Sequence, residues 1–241
     1  MPTFRHGKNA VVLFDGADFT TFFNEATASS SVETAETTTF GSGAKTYITG
    51  LKDATASLSG LFEGSAAGTD AAFAAAIASD ATQIVTIGPE GGAAGTRSIG
   101  ISAIETSYEI SSPVADVVAI SAEIQAESDG IDYGIFIAKS ASVSATGQSA
   151  SQDNAVSSAN GGVANLHVTT NTRDGGITFK VQHSSDNSTF ADLATFAATA
   201  TVTTEGQRVE FSGTVNRYVR AQYTVAGTTG SATYTLAVAR R

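Results

Sequence analysis

The residues of this chain with the clearest potential for chemistry are two pairs of glutamates. Glu105 and Glu109 are four positions apart in one alternating segment, and Glu123 and Glu127 repeat that spacing in the next one. Two carboxyl groups on either side of a glycosidic bond could supply the acid and the base of a glycosidase. Such sites are usually lined by aromatic rings, whereas this chain has no Trp and only 6 Tyr. We therefore rank a glycosidase last among the functions considered.

Other catalytic residue types are few and scattered. The three histidines, His6, His167 and His183, lie far apart in the sequence, and there is no Cys. His183 precedes Asp186 closely, but neighbours in sequence do not form a triad, and we expect a strand that ends in a turn there. We find no phosphate-binding loop, dinucleotide fingerprint or metal-ligand cluster. The sequence predicts no catalytic residue, no cofactor and no metal site, and hence a protein that is not an enzyme.

Alternation of apolar and polar residues predicts strands in the N-terminal half. Three segments carry the pattern, and their expected inward residues are Ala54, Ala56 and Leu58, then Ile104, Thr106, Tyr108 and Ile110, and finally Val118, Ile120, Ala122 and Ile124. In the second and third segments the four glutamates fall on the opposite, polar face. Like charges in rows along a sheet disfavour a monomer, so we expect that face to be solvated or to line an aqueous channel.

Helical signals are short and few. Residues 15–24 could form about two turns, with Asp15 or Asp18 as the cap and Phe19, Phe22 and Phe23 inward. A second helix is expected near residues 69–80, where Thr69 and Asp70 precede an alanine-rich run. The fold class is therefore mainly β, with one or two short helices.

The C-terminal half contains a second series of predicted strands, separated by turn residues. They span residues 163–170, 177–183, 190–196, 207–211, 218–225 and 232–238. Before them, residues 138–162 are rich in Ser and Ala and predict a long loop or linker. We expect a β-sandwich or barrel domain over residues 1–137 and a second antiparallel, jelly-roll-like sandwich over residues 163–241.

Charge is unevenly distributed along the chain. The net charge is −10, and residues 1–136 hold 17 Asp and Glu against 5 Lys and Arg. An acidic surface does not suit binding to nucleic acid through its phosphates. No apolar run approaches the roughly 18 residues of a membrane span, and no signal peptide is apparent. The acidic half suits either simple solubility or a wall that must repel polyanions.

Short motifs follow one another along the N-terminal half of the chain, namely HGKN at 6–9, DGADFT at 15–20, TTFG at 38–41, GLKD at 50–53 and SLSG at 57–60. Their order resembles that in the major tail (tail tube) proteins of long-tailed bacteriophages. FKVQHSSD at 179–186 and NRYVRA at 216–221 resemble the ends of virion proteins. The resemblance covers most of the chain through short motifs.

The resemblance implies a β subunit with a flanking helix that forms stacked, hexameric rings around a channel for the viral genome. Its partners would be copies of itself, other tail proteins and DNA that passes without sequence-specific binding, in a virion assembled from protein made in the host cytoplasm. On this basis the candidate lumen-lining residues are Glu105, Glu109, Glu123 and Glu127. The candidate inter-subunit residues are Arg217, Arg220, Arg240 and Arg241.

Two alternatives remain open at this point. One is a binding module, either a capsid decoration protein or an adhesin that binds a receptor or glycan. The other is the glycosidase based on the paired glutamates. A tube subunit should polymerise, a decoration protein should stay a small oligomer, and an enzyme should lose turnover when Glu is replaced by Gln.

Overall fold

The computed structural model describes residues 4–79 and 81–241, with residues 128 and 129 described by their backbone alone. Within these residues there is one α-helix, α1 (Thr69–Ile77), and a short 3-10 helix at Gly7–Asn9. All other regular structure is strand, mostly antiparallel, which confirms the mainly β prediction. The strands are β1 (Val11–Phe14), β2 (Ala17–Asp18), β3 (Phe23–Glu36), β4 (Tyr47–Leu61), β5 (Gln83–Gly88), β6 (Arg97–Ser111), β7 (Ala119–Val143), β8 (Gly147–Gln148), β9 (Gln152–Asp153), β10 (Gly162–Asn171), β11 (Ile177–Ser184), β12 (Ala191–Thr195), β13 (Glu205–Phe211), β14 (Tyr218–Val225) and β15 (Ala232–Arg240).

The chain forms two compact units that interleave along the sequence. Unit 1 comprises Met1–Phe23, Gln83–Ile101 and Asp132–Arg241, and unit 2 comprises Asn24–Thr82 and Ser102–Ile131. This division differs from the predicted domains, because strands β6 and β7 each contribute residues to both units. The C-terminal part of β7 pairs with β15, and that pairing groups it with the C-terminal strands.

Unit 1 contains an antiparallel sandwich. One sheet has the strand order β13-β10-β15-β7-β6-β5-β1-β2, and the other has the order β12-β11-β14-β8, with β9 also paired to β14. The rings of Phe179 on β11 and Tyr234 on β15 lie 4.8 Å apart between centroids, so the two inner faces are in direct contact. Leu166, Val181 and Leu236 are fully buried in the same core.

All six strands predicted for the C-terminal half are present, with bounds that agree within two residues. Residues 138–162, predicted as a loop or linker, are instead partly strand. The end of β7 pairs with β15, and the two-residue strands β8 and β9 both pair with β14. A segment without periodicity can still join a sheet when its backbone groups find partners in a neighbouring strand.

The helix predicted over residues 15–24 is wrong. Asp15 and Gly16 have φ of +43° and +89° and form a tight turn between β1 and β2. An Asp-Gly pair favours such a hairpin turn, because both positions need a positive φ. A Cβ on Gly16 would lie 2.5 Å from backbone atoms of Glu205, so no other residue fits there. Phe19 is buried as expected.

Unit 2 is built on α1 and four strands, namely β3, β4, the second part of β6 and the first part of β7. β3 pairs with β4, and β4 pairs with the first part of β7 in a register that includes Ser57 opposite Glu123. The inward prediction for these two strands is confirmed, with Val118 as the exception at 37% exposed. The buried residues are Ala54, Ala56, Leu58, Ile120, Ala122 and Ile124.

The predicted faces of β6 are reversed near its centre. Ile104 is 39% exposed, whereas Glu105 is 8% exposed. Ile101 and Ala103 are fully buried, and the period of two then assigns Glu105 to their face. Further along the strand, Tyr108 contacts α1: its hydroxyl donates to Asp70 at 2.8 Å and its ring stacks on Phe73.

Replacing Phe179 with Ala should destabilise unit 1 by about 3–5 kcal/mol, because the ring is fully buried between the two sheets. Phe40→Ala is the matched control, since that ring is completely exposed, and its effect should stay within about 0.5 kcal/mol. Urea unfolding of both variants measures the two values. Equal effects at the two positions would contradict the described core.

Candidate functional site

The outward face of strands β4 and β7 in unit 2 is polar from Asp53 to Ser59 and from Ser121 to Glu127. Its members alternate with the buried residues of the same strands, and cross-strand pairing places Thr55 opposite Gln125 and Ser59 opposite Ser121. We call this surface the acidic face. It consists of Asp53, Thr55, Ser57, Ser59, Ser121, Glu123, Gln125 and Glu127.

The carboxylates of the acidic face accept hydrogen bonds from uncharged donors. Ser57 Oγ donates to Glu123 Oε1 at 2.8 Å, and Thr82 Oγ1 donates to Glu127. Gln125 Nε2 donates to Asp53 Oδ1 and to the carbonyl of Ala54. These neutral donors hold the carboxylates in place without cancelling their charge. The face therefore presents a fixed negative potential on a background of small hydroxyl side chains.

The formal charge is divided sharply between the two units. Unit 2 contains 13 Asp and Glu but only Lys45 and Lys52, a formal −11. Unit 1 contains 10 acidic and 11 basic residues, a formal +1. Lys45 pairs with Glu36 at 2.9 Å, so one of the two cations of unit 2 is already neutralised. The net negative charge of the chain thus comes entirely from unit 2.

The four predicted lumen-lining glutamates lie in different environments. Glu109, Glu123 and Glu127 are exposed. Glu105 is buried, and neither of its carboxylate oxygens has a hydrogen-bond partner among the described residues. Burial raises the pKa of Glu105 to about 8, because the charged form loses its hydration. The same desolvation, with the bond to Asp70, raises the pKa of Tyr108.

Each of the four predicted inter-subunit arginines has a partner within the chain. Arg220 lies in β14, and Arg217 immediately precedes that strand. Arg217 donates through Nε and Nη2 to both carboxylate oxygens of Asp153 at 2.6 Å, which lowers the pKa of Asp153 to about 2. The guanidinium of Arg220 lies 3.7 Å from the ring centre of Phe190 and donates to Gln182.

The other two arginines lie at the C-terminus. Arg240 donates to the carbonyls of Val156 and Asn154, at 2.6 Å and 3.4 Å. Arg241 forms ion pairs with Asp132 at 3.2 Å and with Glu210 at 3.7 Å. All four arginines therefore contribute to the surface of unit 1 before any second chain is considered.

The histidines are separate, and no cluster forms around them. His167 is fully buried; it accepts from the backbone N–H of Gly16 and shares a 2.9 Å hydrogen bond with Thr86. Burial lowers the pKa of His167 to about 3, so the ring is neutral. His183 accepts from the backbone of Asn216. Residues 4–79 and 81–241 contain no group of three or more side chains suited to hold a metal ion.

Sequence analysis did not identify Asp53 as a member of the acidic face. The signal was present, because Asp53 precedes Ala54 and so falls on the same face as Thr55 and Ser57.

Across the described part of the chain, no helix has the length and apolar character needed to cross a bilayer.

No family model and no curated protein matches the chain. Several solved structures are similar to it. The virion of a gene transfer agent particle contains a chain that is 14% identical with a TM-score of 0.46, over 54% of this chain and 98% of that one. A chain of the SPP1 tail tube is 14% identical with a TM-score of 0.43, over 52% and 76% of the two chains. The SPP1 Dit protein is 11% identical with a TM-score of 0.37, over 96% and 98%. Tail structures of phages and phage-like particles are thus among the structures similar to this chain.

The raised pKa of Glu105 predicts a pH dependence of stability. The folded chain binds this proton up to about pH 8, whereas the unfolded chain releases it near pH 4.5. Unfolding between these pH values therefore releases up to one proton, and the free energy of unfolding falls as the pH rises through this window. Glu105→Gln should remove that part of the pH dependence and should be more stable than the wild type at pH 8.

Chemical denaturation at several pH values between 4.5 and 8 measures this effect. Glu109→Gln is the control, because Glu109 lies exposed on the same strand. An unchanged pH dependence in Glu105→Gln would show that the carboxyl group is hydrated in the folded protein.

Proposed function

We propose that this chain is a non-enzymatic structural subunit of the tail of a phage or phage-like particle. It self-assembles into stacked rings, six subunits to a ring, whose channel conducts the genome. Its partners are further copies of itself and other tail proteins, and it is made in the host cytoplasm and resides in the virion. The observation that carries the proposal is the exposed β3–β4 hairpin, and the charge of unit 2 supports the placement of the channel.

The hairpin between β3 and β4 has no covering on either face over much of its length. Every residue from 29 to 53 is exposed, and the hairpin is joined across its tip by the bond from Thr37 N–H to Thr46 O. Large apolar side chains lie on it in the open, namely Val32, Phe40, Tyr47, Ile48 and Leu51, at 46–109% exposure. An isolated two-stranded hairpin is marginally stable in water, and open strand edges invite further pairing. Packing against neighbouring copies would stabilise the hairpin and would also pair its open strand edges.

A closed ring is the simplest assembly in which the β3–β4 hairpin of every subunit packs against a neighbour and no subunit keeps an unoccupied binding surface. When one surface of a subunit binds a different surface of the next, the series of interfaces either closes into a ring or continues as a filament. Stacking of closed rings then gives a tube of defined diameter. The number of six subunits per ring comes from the sequence resemblance and is part of this proposal.

The acidic face suits the wall of a channel for DNA. Duplex DNA carries one negative charge per roughly 1.7 Å of its axis, and proteins bind it mainly by neutralising phosphates with Lys and Arg. A wall of Ser, Thr and carboxylates offers no such cation, so the duplex slides without adhering. In this proposal Glu109, Glu123 and Glu127 line the channel. Glu105 was also a candidate, but in the single chain its carboxyl group is buried.

The candidate inter-subunit arginines retain a role in this proposal through their exposed N–H groups. The side chains of Arg217 and Arg241 are 43% and 40% exposed, even though each forms an ion pair. A guanidinium group has five donors, so donors remain for an acceptor on a neighbouring subunit. Arg220 and Arg240 would contribute in the same way.

Shortening the hairpin should abolish assembly and leave the fold intact. In the test variant an Asn-Gly turn replaces residues 31–52, a stretch that is exposed on both faces. We expect the wild type to form rings or tubes in negative-stain electron microscopy and rapidly sedimenting species in the ultracentrifuge. The variant should remain a monomer with unchanged β-sheet circular dichroism. Assembly of the shortened variant would contradict the role of the hairpin, and a wild type that never polymerises would favour the decoration protein or adhesin.

Lysine on the acidic face should convert the wall into a surface that binds DNA. The double variant Glu123→Lys/Glu127→Lys should retain duplex DNA at low salt, where the wild type retains none. Each phosphate that a new lysine neutralises should steepen the fall of log affinity with log salt concentration by about 0.9. Fluorescence anisotropy with labelled DNA measures both the affinity and its salt dependence.

The control for this variant places two lysines on unit 1, at the exposed residues Val156 and Val202. In assembled tubes this control should bind less DNA inside the channel than the acidic-face variant. Equal protection of bound DNA from nuclease in the two variants would contradict the assignment of the acidic face to the channel.

A further inference from the structure

A polar cavity of about 190 Å³ opens on unit 1 beside the start of β6. Its walls include Arg97, Tyr133, Asn154 and Arg240. Two arginines and a tyrosine thus border one small space, and no acidic residue is among its lining residues. None of the functions assigned above uses this cavity.

The guanidinium group of Arg97 has no ionic partner in the described part of the chain. Its backbone N–H donates to Glu90 Oε1 at 3.1 Å, but its guanidinium has no hydrogen-bond or ion-pair partner among residues 4–79 and 81–241. Glu90 pairs instead with Arg5 at 3.4 Å. The exposed guanidinium group of Arg97 is therefore available to an external acceptor.

Arg240 adds a second cation that lacks a carboxylate partner. Its two bonds in the described structure run to the carbonyls of Val156 and Asn154. Burial lowers the pKa of Arg240, which reflects the cost of a positive charge that has lost hydration without pairing with an anion. The hydroxyl of Tyr133 also has no partner in the described residues. A bound oxyanion would satisfy all three groups.

We propose that this cavity binds a carboxylate from unit 2 of a second copy of the chain. This inference rests on the proposed self-assembly. Unit 2 has a formal charge of −11, so its surface is attracted to an uncompensated pair of cations on unit 1. The forked guanidinium group binds a carboxylate through two parallel hydrogen bonds, a geometry that lysine cannot provide.

Two carboxylates of unit 2 are candidates for this interaction. Glu25 and Glu33 on β3 are exposed, and each lacks a hydrogen-bond or ion-pair partner among the described residues. Glu109 also lacks such a partner, but the proposal above assigns it to the channel. The exposed acidic residues of the acidic face are already bonded to Ser, Thr or Gln. In this inference the occupant of the cavity is one of the two β3 side chains.

Charge reversal at Arg97 tests the inference. Arg97→Glu should raise the protein concentration needed for assembly about tenfold or more, because it replaces an attraction with a repulsion. Arg97→Lys keeps the positive charge but loses the two parallel hydrogen bonds of the guanidinium group, so we expect a smaller increase in the concentration needed for assembly. Lys8→Glu is the matched control, since it makes the same charge change at another exposed residue of unit 1. It should leave the assembly concentration within about twofold of the wild type, as measured by light scattering and sedimentation.

A charge swap identifies the occupant. Glu25→Arg and Glu33→Arg are each combined with Arg97→Glu, and one combination should restore assembly to near the wild-type concentration. If none does, the assignment to these carboxylates is wrong. If Arg97→Glu behaves as Lys8→Glu does, the cavity has no role in assembly and the proposed tube stands. If the wild type itself never assembles, both proposals fail.

Discussion

The register between β4 and β7 is the constraint on which the acidic face depends. Side chains alternate strictly along a strand, so a shift of one residue would turn Ala56, Leu58 and Ile124 outward and carry the carboxylates into the core. Burial of the alanine, leucine and isoleucine side chains excludes that shift. One hydrophobic pattern therefore fixes both the core of unit 2 and the position of its charge.

That arrangement concentrates like charges, and the fold limits the resulting repulsion in two ways. The carboxylates of the acidic face are exposed to water, where screening is strong, and they accept bonds from neutral neighbours such as Ser57 and Thr82. Glu105, which is buried, has a pKa of about 8 and so holds its proton at neutral pH. The surplus of cations on unit 1 is small, but Arg97 and Arg240 bring part of it to one cavity. A second copy of the chain is the partner that would bring such opposite charges together.

The strands of the sandwich could be predicted from the sequence because their hydrophobic alternation is regular and Gly, Asp and Asn mark their turns. The fold around residues 15–24 could not, because three phenylalanines at helical spacing favour a helix, whereas the positive φ of Asp15 and Gly16 commits the chain to a hairpin. The prediction from local alternation was also wrong at Glu105, because the inward face is set by Ile101 and Ala103 earlier in the same strand. The role of Arg97 could not be predicted from the sequence, because it depends on a guanidinium group without a carboxylate partner among the described residues, and only the folded chain shows that.

The most direct test of the central claim is a cryo-electron microscopy map of the purified, full-length chain after assembly at high concentration. We expect hollow polymers of stacked rings, with a lumen wide enough for a hydrated DNA duplex. Strands β4 and β7 should surround that lumen and turn Glu123 and Glu127 toward it. A particle that never polymerises would contradict the proposed tube, and a tube with the acidic face on its outer surface would contradict the proposed channel wall.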